Sequence, residues 1–422
     1  MDIVIVGSGP AGVQAALQCR QSWPPKSVTL VEGESHVGYC RPLLPQFMAG
    51  QAKEEKLFLF KPGEDPLLQM KTGAKVQSLD REKQILHLEG GEEIKYRRLI
   101  LATGGRPIIP RLEGAAGLEG VFPVHNLPEA RKVREWITKD QKIIVLGGGL
   151  VGVKTAVYLR SAGFQISVVE KEDHLLPQAL KGDAAGYVET HFRQMGIDLC
   201  LSQTLEAAEG DRGKIKGVRV GGQWVPCDTL LLAIGSTPNI SFLENSGLVE
   251  GGKLRVSAAL QTKDPRIFAA GDAVTIFTAD GKKYTPWTWP QAVSQGKLAA
   301  ANLYRSQPVP LKDLTRVNSM NLQGLSLNLL GAFVEGSEEI IYAPPGGNIL
   351  REVFLQQGRI AGGALVGDIT GAGPMHHLMI RGEDSAQEIS RLIKPSFGLM
   401  PRGLPDRGLE RRRARLIPGE ER

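Results

Sequence analysis

Two glycine turns of equal spacing, Gly7-Ser8-Gly9-Pro10-Ala11-Gly12 and Gly147-Gly148-Gly149-Leu150-Val151-Gly152, constrain this chain more than any other feature. Each follows a short apolar run, Ile3-Val4-Ile5-Val6 and Ile143-Ile144-Val145-Leu146, with the composition of a buried parallel strand. Each opens onto a stretch rich in helix formers. In such a turn the first glycine (Gly7, Gly147) permits a tight strand-to-helix bend and the second (Gly9, Gly149) lets the backbone approach a pyrophosphate. The third (Gly12, Gly152) lets helix and strand pack closely. Free N–H groups and the positive end of the helix dipole then hold the phosphates, with Pro10, Ala11 and Val151 in the opening helical turns. A glycine turn alone is common in ordinary loops, but both copies here carry an acid at the end of the next strand. Glu32 follows Val28-Thr29-Leu30-Val31, 20 positions past Gly12, and Glu170 follows Ile166-Ser167-Val168-Val169, 18 positions past Gly152. A carboxylate there accepts hydrogen bonds from ribose hydroxyls and repels a 2′-phosphate, which points to FAD at one site and NAD rather than NADP at the other. One dinucleotide fold suggests a dehydrogenase. Two suggest an enzyme passing electrons between a flavin and a nicotinamide.

The 422 residues leave room for two or three domains. Alternating strands and helices predict a doubly wound α/β fold: two Rossmann-like dinucleotide-binding domains and a small C-terminal α+β domain. The first part of the FAD-binding domain is expected over residues 1–110, closing at Leu99-Ile100-Leu101-Ala102-Thr103-Gly104-Gly105-Arg106-Pro107. The NAD-binding domain is expected over 111–230 and the rest of the FAD domain over 231–310. Leu230-Leu231-Leu232-Ala233-Ile234-Gly235 reads as a strand returning to the first unit, and Ile267-Phe268-Ala269-Ala270-Gly271-Asp272-Ala273 as another strand, ending in Gly-Asp. From 311 to 400 the pattern changes. Leu325-Ser326-Leu327-Asn328-Leu329 and Glu352-Val353-Phe354-Leu355 alternate like antiparallel strands of an interface domain. Residues 401–422 hold seven Arg against four acids, with Arg411-Arg412-Arg413 at their centre. They read as a basic tail that is disordered or lies along a partner subunit.

Several function classes are excluded at this level. No apolar run approaches the roughly 18 residues of a membrane helix. The chain enters its first strand at once, so no signal peptide is expected. Cys19, Cys40, Cys200 and Cys227 form no CxxC pair, so neither a metal-cluster spacing nor an adjacent redox dithiol is present. Reduced, scattered thiols predict a cytoplasmic protein. His376 and His377 are adjacent, which turns their rings apart on a helix or a strand, and no metal site is expected. The net charge of +6 suits acidic protein partners; no aromatic residues interleave the basic tail, so nucleic acid is not an expected partner.

The chain resembles the FAD/NAD-dependent pyridine nucleotide oxidoreductases with two dinucleotide folds, in particular rubredoxin and ferredoxin reductases and the flavin portion of assimilatory nitrite reductases. The likeness runs to about residue 395. It is carried by the paired turns, Ala102-Thr103-Gly104, Ala233-Ile234-Gly235 with Pro238-Asn239, and Ala270-Gly271-Asp272. Tyr39-Cys40-Arg41-Pro42-Leu43-Leu44 is similar to the Tyr-x-Arg-Pro-x-Leu segment that passes the flavin in such enzymes. The resemblance implies that Arg41, Pro42, Ala102, Thr103, Gly104, Gly235, Gly271 and Asp272 line the cofactors, with Asp272 on the ribityl chain; its competing role is a helix N-cap. Pro290-Gln291-Ala292-Val293-Ser294-Gln295-Gly296 would begin a helix whose N-terminus faces the flavin pyrimidine, bringing in Gln291 and Ala292. Trp287 and Trp289 would cover the flavin ring or fill core volume. The implied activity passes electrons between NAD(H) and a small redox protein or partner subunit, within a homo-oligomer or hetero-complex.

Two positions depart from the family pattern. Gln46 stands where relatives have a Lys near the flavin, and Lys154 stands where they have a Glu that pairs with that Lys and contacts the nicotinamide. A lone ammonium at Lys154 would raise the flavin potential and weaken the nicotinamide contact, unless it points into solvent. Cys40 supports a rival in which a single redox-active cysteine, activated by Arg41, serves an NADH oxidase, peroxidase or coenzyme A disulfide reductase; its competing role is a packing cysteine. A further rival is a flavin-bearing electron-transfer or sensor subunit with little NADH turnover.

Overall fold

The computed structural model describes residues 1–58, 60, 65–285, 288–345, 349–382, 386–394 and 409–413. The chain folds as two compact units. One comprises Met1–Leu43, Ala52–Pro107 and Ser236–Leu314; the other comprises Leu44–Gln51, Ile108–Gly235 and Thr315–Arg422.

In the first unit a five-stranded parallel sheet runs in the order Ile267–Ala269, Arg98–Leu101, Ile3–Val6, Val28–Val31, Leu68–Lys71. Ile3–Val6 and Val28–Val31 are buried along their whole length. This explains why they read as continuous apolar runs, since a parallel sheet is covered on both faces. Each fully buried Val, Leu or Ile contributes about 1.5–3 kcal/mol. Helix Pro10–Ser22 covers the sheet beside helix Trp289–Asn302, and their approach is set by Gly296. A Cβ there would lie 2.1 Å from the Ala11 carbonyl oxygen, so no larger residue fits.

The second unit repeats the plan. Its parallel sheet runs Asp198–Cys200, Gln165–Val169, Lys142–Leu146, Thr229–Leu232, Val121–Pro123. This corrects one expectation: Leu230-Leu231-Leu232 does not return to the first sheet but pairs with Lys142–Leu146. It takes the place that Arg98–Leu101 takes beside Ile3–Val6. The apolar run specifies a buried strand but not which of two similar sheets it joins. Chain re-entry to the first unit begins instead at Ser236–Pro238, antiparallel to Gly105–Pro107.

The C-terminal part of the second unit is a six-stranded antiparallel sheet, in the order Val317–Leu322, Leu325–Gly331, Arg359–Val366, Leu350–Gln356, Glu338–Tyr342, Leu409–Arg413. The two expected strands are there, but Leu350–Gln356 is buried at every residue except its last rather than alternately. Helix Gly182–Gln194 packs on this sheet, and Met375 and Leu378 of helix Ala372–Arg381 join its core. Two opposite charges therefore lie buried side by side in the sequence. Arg351 donates to the Leu392 and Ile393 carbonyls and to Asp368 Oδ2 at 2.9 Å. Glu352, 1% exposed, has the like charge of Glu339 nearby, and its Oε2 has no hydrogen-bond partner among the described residues. Of the tail expected to be disordered or to lie along a partner subunit, residues 409–413 run as the edge strand of this sheet, with Arg413 opposite Glu338 and Arg412 opposite Glu339. The rest of the tail lies outside the described residues.

Candidate functional sites: two dinucleotide cradles

The two glycine turns are built alike, contact for contact. Gly7 N donates to the Val31 carbonyl and Gly147 N to the Val169 carbonyl, both at 2.8 Å. Ala102 N donates to Val6 and Ala233 N to Leu146, again at 2.8 Å. Gly7 and Gly147 adopt φ of +99° and +107°, and a Cβ on them would strike the Ala102 and Ala233 carbonyl oxygens at 2.3 and 2.6 Å. This is why glycine is required there and why Ala102 belongs to the cradle. Beneath each turn, a Cβ on Gly12 or Gly152 would lie 1.8 Å from the carbonyl oxygen of Gly7 or Gly147. The middle glycines differ in kind. Nothing lies within 4 Å of a Cβ built on Gly9 or Gly149. Both are helix N-caps with no side-chain cap, so the first-turn N–H groups of Pro10–Ser22 and Leu150–Ser161 face open space. Val151, at the start of the second helix, is 45% exposed. A phosphate-bearing ligand fits that space, because the cradle is open at the middle glycine and its first-turn N–H groups have no acceptor among the described residues.

The carboxylates complete each cradle. Glu32 Oε2 accepts from Ser8 N at 2.7 Å and Ser8 Oγ at 2.6 Å, while Oε1 accepts from Glu34 N at 2.9 Å. Glu170 Oε2 accepts from Gly148 N at 2.6 Å and Oε1 from Glu172 N at 3.0 Å. Each carboxylate is thus fixed by its own turn and still has lone pairs for ribose hydroxyls. The duplicated geometry makes the donor set right for two adenine dinucleotides.

Features of the first unit favour the longer flavin ligand there. Asp272 lies within the short turn Gly271–Ala273, whose N-cap is Ala270, so the N-cap role is not the one it plays. Its carboxylate makes no hydrogen bond among the described residues, and burial pushes it above its ordinary value, with Arg41 pulling the other way. A half-buried carboxylate without a donor suits a sugar-alcohol hydroxyl. Thr103 Oγ1 donates to the Asn239 carbonyl at 2.7 Å and Asn239 N to the Gly104 carbonyl at 2.9 Å, so these motifs clamp each other. In the helix Trp289–Asn302, Gln291 and Ala292 are buried in the opening turns. Trp289 is its first residue; Trp287 lies outside the described residues.

Two participants escape a reading by motif. Gln295, fully buried one turn beyond Gln291, accepts the Gly271 N–H at 2.7 Å and so positions the Gly-Asp turn. Glu34 takes Arg41 Nη2 at 3.0 Å and the Tyr39 hydroxyl at 2.8 Å, and burial pushes its carboxyl up against the pull of both. Helical spacing from Gln291 signals the first. The second had only its closeness to Glu32. Pro42 is exposed in the turn Arg41–Leu43, while Cys40 is buried with its N–H bonded to the Leu57 carbonyl at 2.8 Å. Burial pushes the Cys19 and Cys227 thiols to about 12.

In the second unit Lys154 is half-buried on the helix that leaves the glycine turn. Gln46 donates to the Tyr158 hydroxyl at 2.7 Å, one turn beyond Lys154. Gly235, at φ +103°, accepts the Ile108 N–H at 3.1 Å. No group of His, Cys, Asp and Glu among the described residues could hold a metal ion, and no described helix is long and apolar enough to cross a membrane.

Known proteins are similar to this chain in sequence and in fold. An NADH oxidase from Methanocaldococcus jannaschii is 28% identical over 395 residues, covering 87% of this chain and 88% of its own. Rhodocoxin reductase from Rhodococcus erythropolis is 30% identical over 320 residues, covering 73% and 74%. The fold of a ferredoxin reductase from Rhodopseudomonas palustris matches with a TM-score of 0.87 over 94% of this chain and 99% of that one, at 23% identity. Residues 1–296 match the profile of the family described as pyridine nucleotide-disulphide oxidoreductase. The chain belongs to that family, as an oxidoreductase that uses FAD and NAD(H).

Proposed function

We propose that this enzyme takes electrons from NADH and hands them to a small redox protein. The observation that supports the reading is the pair of like-built cradles, each with its ribose carboxylate, in a chain with no adjacent dithiol. Bound FAD supplies the chemistry of accepting a hydride and releasing its electrons singly. The chain's own part is binding and alignment. Gly9 and the first turn of Pro10–Ser22 hold one pyrophosphate, and Glu32 a ribose. Asp272, held by the Gln295–Gly271 bond, takes the ribityl hydroxyls, while Arg41, braced by Glu34, balances charge nearby. Gly149, Val151 and Glu170 bind NAD, and Lys154 sets the charge on that helix. No side chain needs to act as acid or base.

Anaerobic titration of the purified yellow protein with NADH and NADPH, read at the flavin absorbance, tests this. NADH should bleach the flavin at lower concentration than NADPH, and a small iron–sulfur protein should reoxidise it. A colourless protein that stays colourless with added FAD ends the reading. A second reading draws on the M. jannaschii NADH oxidase among the relatives. In it, oxygen takes the electrons with the help of Cys40. Oxygen uptake lost in Cys40→Ser supports it; uptake unchanged by the substitution leaves Cys40 a packing residue.

A further inference from the structure

The Gly-Asp turn of the first unit leads directly into strand Val274–Phe277 of a small four-stranded sheet, ordered Val249–Glu250, Lys253–Ser257, Val274–Phe277, Lys283–Tyr284. Along Lys253–Ser257 the side chains alternate: Leu254 and Val256 are buried, Lys253 and Arg255 exposed. Strands of all four contribute to an open cavity of about 520 Å³, lined by Glu250, Lys253, Arg255, Phe277 and Lys283 among others. Two of the lining cations lie over the Phe277 ring. The Arg255 guanidinium lies 3.9 Å from the ring centroid and the Lys283 ammonium 5.9 Å. Glu250 is the one carboxylate in the lining, and it is engaged by Arg255 at 3.2 Å and by Lys263 at 3.6 Å. Neither Lys253 nor Lys283 has a carboxylate partner among the described residues. The face is therefore positively charged around an aromatic anchor, and nothing in cofactor binding uses it.

We infer that this face docks the acidic surface of the redox protein that collects the electrons, an inference that rests on the function proposed above. Three properties support it. Arginine and aromatic side chains are enriched where protein interfaces bind most strongly. Uncompensated lysines at the rim steer an acidic partner and set its on-rate. The face is also close in sequence to the flavin-binding turn: Asp272 and Phe277 are five residues apart, at most about 17 Å of strand. A single-stranded nucleic acid would need several exposed rings on which to stack. Among the described residues of its lining, this face offers only Phe277.

The experiment uses the full-length, FAD-loaded protein, a small acidic two-iron ferredoxin as probe, and the variant Lys253→Glu/Arg255→Gln/Lys283→Glu. A milder Lys253→Gln/Lys283→Gln variant and thermal unfolding of all three guard against misfolding. Direct binding at low salt should weaken roughly tenfold in the charge-reversed variant and about threefold in the milder one, and high salt should erase the difference. Turnover of NADH with ferricyanide, which needs no docking face, should be unchanged in both. Equal ferredoxin affinity in wild type and variants overturns the inference, as does absence of binding by wild type or tighter binding of oligothymidylate at the same face. Binding that depends on these cations without electron transfer by wild type would uphold the docking face and refute the proposed acceptor, so the two failures are distinguishable.

Discussion

Gly149→Ala separates ligand binding from folding within one residue. Gly149 has φ −74° and ψ −175°, extended backbone that alanine adopts freely. Its Cβ would meet nothing within 4 Å. Losing a glycine at a compatible position stabilises by about 0.4–1 kcal/mol through the unfolded chain, while alanine is a poorer N-cap by a similar amount, so folding stability should barely move. The new methyl group would occupy the space assigned to the NAD pyrophosphate and displace it from one helix N–H. A hydrogen bond to a charged group is worth about 1.5–3 kcal/mol, which converts to a roughly 10- to 150-fold weaker Kd for NADH. Stopped-flow flavin reduction across NADH concentrations gives that Kd, and thermal unfolding gives stability. The flavin content should stay at the wild-type level. Gly9→Ala is the mirror experiment, giving a folded protein that purifies with little FAD. Gly147→Ala should behave differently from both: φ of +107° and a carbonyl oxygen 2.6 Å from the new Cβ predict a destabilised fold. If Gly149→Ala bound NADH like wild type, the open side of the turn would not be the phosphate seat. If it lost FAD instead, the two cradles would have to exchange ligands.

Glu170→Gln keeps an acceptor for Gly148 N–H but removes the charge that repels a 2′-phosphate, so the ratio of kcat/KM for NADH over NADPH should fall about tenfold. Arg351→Met removes a buried cation that ties two carbonyls and Asp368 together. Denaturant unfolding should show a loss of about 3 kcal/mol, and no loss would mean that the network does not hold the C-terminal helices. For Glu352, burial comes first and the neighbouring Glu339 second in pushing the carboxyl far above its ordinary value. The folded state therefore keeps a proton that the unfolded state releases, and stability should decline as pH rises above about 5. Glu352→Gln should flatten that decline, measured as the midpoint of unfolding across pH; an unchanged slope would place the effect elsewhere.

The dinucleotide chemistry was legible because it is local. Glycines at three fixed offsets and an acid at the end of the next strand specify a backbone path within about thirty residues, and Glu32 and Glu170 are held by their own turns as that path demands. Strand partners were less legible. Leu230–Leu232 carries the same apolar signature as Leu99–Leu101, and only tertiary packing decides that it joins Lys142–Leu146. The double burial of Leu350–Gln356 likewise depends on helices distant in sequence, one of them some 160 residues earlier. Glu34 and Gln295 were missed for a related reason. Each acts through one hydrogen-bonding neighbour, Arg41 or Gly271, rather than through a motif of its own.

Ala11 gives the first unit a single point of adjustment. It abuts Gly296 of the second helix through its backbone, and its methyl group lies 3.2 Å from where a Cβ on Gly271 would be. On the function proposed above, the residues assigned to the phosphates, to the ribityl chain and to the helix opening toward the ring are thus all gauged from one small side chain. A bulkier residue at 11 or 296 would not loosen one end of the coenzyme while sparing the other. It would stretch the whole seat, and the tightness of flavin retention and the colour of the bound ring should shift together.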